Sequence, residues 1–175
     1  MFLLSTPKHK RKGVGGLKAL QGLQDEFYMA LALKEAAKAA LIEEVPVGAV
    51  IVKNGRVIAK AHNLREKRGD ATAHAELLAI QKACKRLGGW RLEDAELFVT
   101  LEPCPMCAGA ILQARVKRLI FGASDPKAGA VGSLLNLLQD SRFNHQVEVK
   151  GGVCANESSR MLKEFFARKR GKERE

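Results

Sequence analysis

The chain has 175 residues, 46% of them hydrophobic, which is enough for one ordinary domain with a real core. Four cysteines are too few for a disulfide scaffold and point to a reducing, cytoplasmic compartment. No apolar run approaches the roughly 20 residues of a membrane span, and a formal net charge of +11 favours a polyanionic partner over an acidic or neutral one.

The charge is concentrated at the ends. Residues 1–22 contain Lys8, Lys10, Arg11, Lys12 and Lys18 and no acid, while residues 160–175 hold seven basic and three acidic residues. With Gly13, Gly15 and Gly16, residues 1–22 read as a basic, flexible N-terminal extension; an organellar leader is the alternative. The glycines do not form a phosphate-binding loop, because no strand precedes them and no G-K-[ST] follows. Phe2-Leu3-Leu4 is too short for a signal peptide's apolar core. Residues 23–170 then form one domain, and 171–175 form a charged tail.

Asp25 is positioned to cap an Ala-rich helix running to about Ile42. Val47–Val52 is a β-branched strand. Asn54-Gly55 is a strong two-residue hairpin signal, and Arg56–Ala61 returns antiparallel. Thr72 is a candidate cap for a helix over Ala73–Leu87, which contains no Gly or Pro. A strand over Glu96–Thr100 leads to a helix opened by Pro103 and Pro105 and ending near Ala114. Val116–Phe121 is the next strand, Leu134–Leu138 a short helix and Gln146–Val149 a short strand. Asn156 or Ser158 caps a last helix to about Arg168. Strands alternating with helices after an initial hairpin predict an α/β fold, with a mixed sheet covered by helices on both faces.

Two short segments carry the chemistry. One is His74-Ala75-Glu76, and the other is Pro103-Cys104-Pro105-Met106-Cys107. His74, Cys104 and Cys107 suit a borderline-soft ion such as Zn2+ and leave one tetrahedral position open. Starting two helices at these residues places thiolates and imidazole at positive helix ends. Regular helical geometry sets residues i and i+2 about 200° apart, so His74 and Glu76 share a site only if they lie in an irregular first turn. A redox pair at Cys104 and Cys107, or half of a zinc finger, competes with this reading. No other His or Cys completes a finger, and Cys84 reads as a buried small hydrophobe.

The H-x-E and P-C-x-x-C pair resembles the signature of zinc-dependent nucleobase deaminases, themselves a standing example of this chemistry. Val45–Val50, His62-Asn63, Thr72–Glu76, Thr100–Cys104, Phe121–Ala130, Asn144-His145 and Phe165-Phe166 narrow the likeness to the bacterial tRNA-specific adenosine deaminases. It covers about Asp25 to Arg170. The resemblance implies a three-layer α/β/α sandwich of the cytidine deaminase type and one Zn2+ per subunit of a homodimer. It also implies Glu76 as proton shuttle in converting the wobble adenosine of a tRNA anticodon stem-loop to inosine. Asn63, the Ala75 backbone, Pro46 and Val47 are implied base contacts. The resemblance further implies that Asp125 shapes the nucleotide's surroundings, and Lys127 is expected to pair with a phosphate. Phe166, Arg168 and Arg170 combine a ring with cations and are expected to stack on and neutralise single-stranded RNA, against the rival of an amphipathic helix with solvated cations. Phe165 is expected in the core. A deaminase of free guanine or cytosine, or a non-catalytic zinc-bearing RNA-binding module, are the competing functions.

Overall fold

The computed structural model describes residues 14–172. Helix α1 (Val14–Leu41) leads into the hairpin β1 (Gly48–Lys53) and β2 (Arg56–His62). A single-turn helix α2 (Arg65–Arg68) precedes α3 (Ala75–Leu87), β3 (Ala95–Leu101), α4 (Pro105–Gln113) and β4 (Arg118–Ala123). Strand β5 (Glu148–Lys150) and helix α5 (Ala155–Lys172) complete the order.

The sheet runs β2-β1-β3-β4-β5. Strand β1 is antiparallel to both β2 and β3, whereas β3, β4 and β5 are parallel, so the sheet is mixed, as expected. The hairpin turns on Asn54 and Gly55, both at positive φ (51° and 70°), which is what an Asn-Gly turn of this type requires.

Alternation along the strands builds two cores. Ala49 and Ile51 of β1, Leu97 and Val99 of β3, and Leu119 and Phe121 of β4 face one side, against Leu78 and Ala79 of α3 and Ile111 of α4. The intervening Val50, Val52, Phe98 and Ile120 face the other side, against Met29 and Ala32 of α1. This period-two division puts helices on both faces and makes three layers. Each large side chain fully buried this way contributes roughly 2 kcal/mol relative to exposure. At Gly48 an added Cβ would collide with the backbone of Ala32 and Ala36, so the approach of α1 to β1 needs glycine there.

Several expectations need correction. Helix α1 spans Val14–Leu41, so residues 14–22 of the expected N-terminal extension are helical and continuous with the first helix; residues 1–13 lie outside the described region. Asp25 is therefore inside the helix and completely buried, and it meets Arg118 and Lys150 instead of capping. Thr72 does not cap α3. Its amide and hydroxyl both donate to Asp70, and His74 occupies the cap position. Leu134–Leu138 is not helical, because Leu134 and Leu135 donate to the Gly129 carbonyl and Val131 bridges Asn136. Helix α5 starts at Ala155, directly after Cys154 at φ 54°, so Asn156 and Ser158 both lie within it. It continues through Lys172, past the expected tail boundary, and residues 173–175 lie outside the described region.

Candidate active site

Two helices open at one point. His74 is the extended cap residue of α3 (φ −74°, ψ 150°), and Cys104 is the extended cap residue of α4 (φ −73°, ψ 171°). Each starts its helix with its own carbonyl, accepting from Leu78 and Ala108 respectively. Pro105 follows at the first position of α4, where a missing N–H costs nothing. The periodicity problem between His74 and Glu76 disappears, because His74 stands outside the regular helix and Glu76 inside its first turn.

His74 Nδ1 lies 3.7 Å from Cys104 Sγ and 3.5 Å from Cys107 Sγ. The three ligand atoms fall within 4.8 Å of one another. A tetrahedral zinc ion, with bonds of about 2.3 Å to sulfur and about 2.0 Å to nitrogen, separates its S and N ligands by about 3.5 Å. The donor types and their spacing therefore fit Zn2+. Among the described residues this is the one such cluster, and Cys84 is no part of it. Cys84 is half-buried and donates weakly to the Trp90 carbonyl at 3.6 Å.

The electrostatics already favour a thiolate. Cys104 is pulled down to about 4 by the hydrogen bond from Cys107 and, against the opposing effect of burial, by His74. Cys107 is pushed up because it supplies that proton, because it is buried, and because Glu76 is near. His74 is raised, chiefly by its bond to Cys104. Glu76 is 4% exposed, and burial, the dominant cause, raises its pKa. Burial makes this carboxyl group easier to protonate than an exposed glutamate.

His74, Glu76 and Cys104 line a cleft of about 230 Å³, with Cys107 fully buried. Its lining includes Val47, Asn63, His74, Glu76, Cys104 and Asp125. Pro46 and Ala75 are buried and are not among the lining residues. Lys127 is exposed and outside the lining, although its backbone N–H donates to Asp125. Phe166, Arg168 and Arg170 lie on α5 and do not line the cleft. Phe165 is buried, as expected, and Phe166 packs edge-on against it while remaining 41% exposed.

Sequence reasoning passed over two carboxylates. Glu102, 3% exposed, accepts from the backbone N–H groups of Asp125, Val131 and Ser133 and from the Ser133 hydroxyl. It thereby folds the loop that carries Asp125 into the cleft. Glu44, fully buried, accepts from Asn63 Nδ2 and from the Lys67 N–H. Its only signal in the sequence was an acid directly beside the apolar Val45–Val52 run. Arg65 and Glu66 of α2 also line the cleft, but nothing in the sequence marked α2 as an element.

The comparisons agree with this geometry. The MafB19-like deaminase family matches residues 23–170. The tRNA-specific adenosine deaminase of Bacillus subtilis is 58% identical over 151 residues, which is 86% of this chain and 94% of the relative. A structure solved in a study of A-to-I editing by tRNA:A34 deaminases superposes with a TM-score of 0.75 at 48% identity, over 78% of this chain and 99% of that one. The guanine deaminase of Bacillus subtilis reaches a TM-score of 0.56 at 42% identity, over 62% of this chain and 69% of that one. With its H-x-E and P-C-x-x-C residues gathered at one cleft, the chain belongs to the deaminases and, within them, to the tRNA-specific adenosine deaminase family.

Proposed function

We propose that the protein hydrolyses the wobble adenosine of a tRNA anticodon stem-loop to inosine and ammonia. One observation carries the reading: a buried Glu76 beside a three-ligand cluster, in a chain 58% identical to a tRNA-specific adenosine deaminase. His74, Cys104 and Cys107 would hold one Zn2+, which when bound lowers the pKa of a water toward neutrality and so provides the nucleophile.

The protein's own groups do the rest. Glu76 accepts the nucleophile's proton, delivers it to adenine N1 so that C6 becomes electrophilic, and later protonates the departing amine. Water supplies the oxygen that replaces the exocyclic nitrogen, and ammonia leaves. Val47 and Pro46 wall the base, and the Ala75 backbone meets its edge. Asn63 contacts the base edge, and Asp125 holds the turn that borders the nucleotide. Lys127, Phe166, Arg168 and Arg170 take the flanking RNA by phosphate contacts and stacking. A splayed loop nucleotide suits so small a cleft, whereas a duplexed one does not reach it. The protein acts in the cytoplasm as a homodimer.

The test compares zinc-loaded protein on an anticodon stem-loop bearing a wobble adenosine with free adenosine, guanine and cytidine. Inosine in the stem-loop alone is expected. Ammonia from guanine or cytidine alone would replace this reading with that of a free-base or nucleoside deaminase.

A further inference from the structure

Glu44 lies three residues past the end of α1 at Leu41 and is completely buried. Each of its oxygens has one partner. Oε2 accepts from Asn63 Nδ2 at 3.1 Å, and Oε1 accepts from the Lys67 backbone N–H at 2.6 Å. The first partner belongs to the cleft wall. The second belongs to α2, the turn that carries Arg65 and Glu66 to the cleft mouth.

A carboxylate offers only acceptors, so the Asn63 amide has one hydrogen-bonded orientation here. Rotated by half a turn, its Oδ1 would meet Oε2, lone pair against lone pair, in a place closed to water. Leaving those buried groups unpaired is more costly than the bond is worth in isolation. Asn63 is itself only 7% exposed, and its backbone N–H is tied to the Val47 carbonyl at 3.0 Å. Both ends of the residue are therefore fixed.

We infer that Glu44 is a positioning residue that decides what Asn63 offers the substrate: it holds Nδ2 inward and leaves the carbonyl Oδ1 for the cleft. The inference rests on the deaminase reading above. An acceptor in this position favours a base edge carrying an N–H donor, such as the exocyclic amine that the reaction removes. It disfavours the carbonyl edge of the product. The same carboxylate sets the distance between Asn63 and α2, so one buried group holds two walls of the cleft.

The test exchanges carboxylate and amide. In Glu44→Gln the new carbonyl oxygen can still take the Lys67 N–H, but the new amide nitrogen faces Asn63 and forces its amide to turn, presenting a donor to the cleft. In Asn63→Asp, two carboxylates face each other. In the double variant, Glu44→Gln with Asn63→Asp, the amide introduced at the first position donates to the carboxylate introduced at the second. The other oxygen of that carboxylate again faces the cleft as an acceptor. Both single variants should lower kcat/KM on the stem-loop by roughly 10- to 100-fold. The double variant should recover at least tenfold over the weaker single variant, with zinc content and thermal midpoint as controls. A Glu44→Gln enzyme at wild-type rate, or a double variant no better than the weaker single one, overturns the inference.

Nuclear magnetic resonance of the wild-type protein decides the matter if a variant does not fold. The Asn63 side-chain amide should exchange slowly with water and show proximity to Glu44, and free exchange would overturn the proposal. This readout does not depend on turnover, so an inactive wild-type protein would count against the deaminase reading alone.

Discussion

Arg118 of β4 grips Asp25 of α1 through two parallel N–H···O bonds of 2.7 and 2.8 Å, across 93 residues of sequence. Lys150 adds a third bond to Asp25 at 2.7 Å, and Arg118 also donates from Nη1 to Glu96 and from Nε to Glu148. Asp25 has no exposed side-chain surface. The cluster ties the first helix to three strands at the end of the sheet where β4 begins.

Burial alone would raise the Asp25 pKa, but its bonds to Arg118, Lys150 and Gln21 outweigh burial and hold it below the ordinary 3.8. A carboxyl group depressed in the folded state contributes stability above its unfolded pKa. It loses that contribution as pH falls through the folded value. Asp25→Asn should therefore cost about 3 kcal/mol at neutral pH, since it leaves a buried cation underpaired. It should also flatten the acid limb of the stability curve below pH 3.8, the ordinary Asp value. Urea titrations of both proteins from neutrality to strong acid measure the difference, and parallel curves would reject the assignment.

Glu76→Gln removes the proton carrier and keeps the shape. Turnover on the stem-loop should fall by about 10²- to 10⁴-fold. Zinc stoichiometry and thermal midpoint should stay near those of the parent, and near-normal inosine formation in a metal-replete variant would sink the role.

His74→Ala and Cys107→Ser should each bring metal content, read by elemental analysis, from about one per chain to a small fraction of that, with activity following. Dialysis of the parent against a strong chelator should do the same, and added zinc should restore both. Activity that survives metal removal would dismiss the cluster as a cofactor site.

Truncation after Phe166 removes the basic residues Arg168, Lys169, Arg170, Lys172 and Arg174. Affinity for the stem-loop should fall, and the slope of log affinity against log salt should shrink by about 0.7 for each phosphate of single-stranded RNA no longer neutralised. The rate on saturating substrate should change little, because none of the described residues among them lines the cleft. An unchanged slope would mean these cations serve only the solvent.

Much of the site was legible because its chemistry is local in sequence: H-x-E and C-x-x-C each sit within one turn. The hairpin was legible because Asn54-Gly55 fixes backbone angles without help from elsewhere. What escaped depends on distant partners. Asp25 looks like a cap until Arg118 arrives from the far side of the domain. Leu134–Leu138 carries an apolar run, yet the Gly129 carbonyl and Glu102 claim its neighbourhood first. Helix α2 has four residues, none of them buried, and so no period to read. Glu44 is invisible as a functional group until folding places Asn63 beside it.

His74 and Cys104 each stand at the step where extended backbone becomes helix. The bond that begins each helix, from Leu78 or Ala108, also orients a ligand. Fraying of one turn would therefore scatter the ligands while the sheet stayed intact, so the operating limit of this site is local melting rather than global unfolding. Amide exchange at Leu78 and Ala108 is accordingly the gauge of how much heat or denaturant the chemistry can withstand.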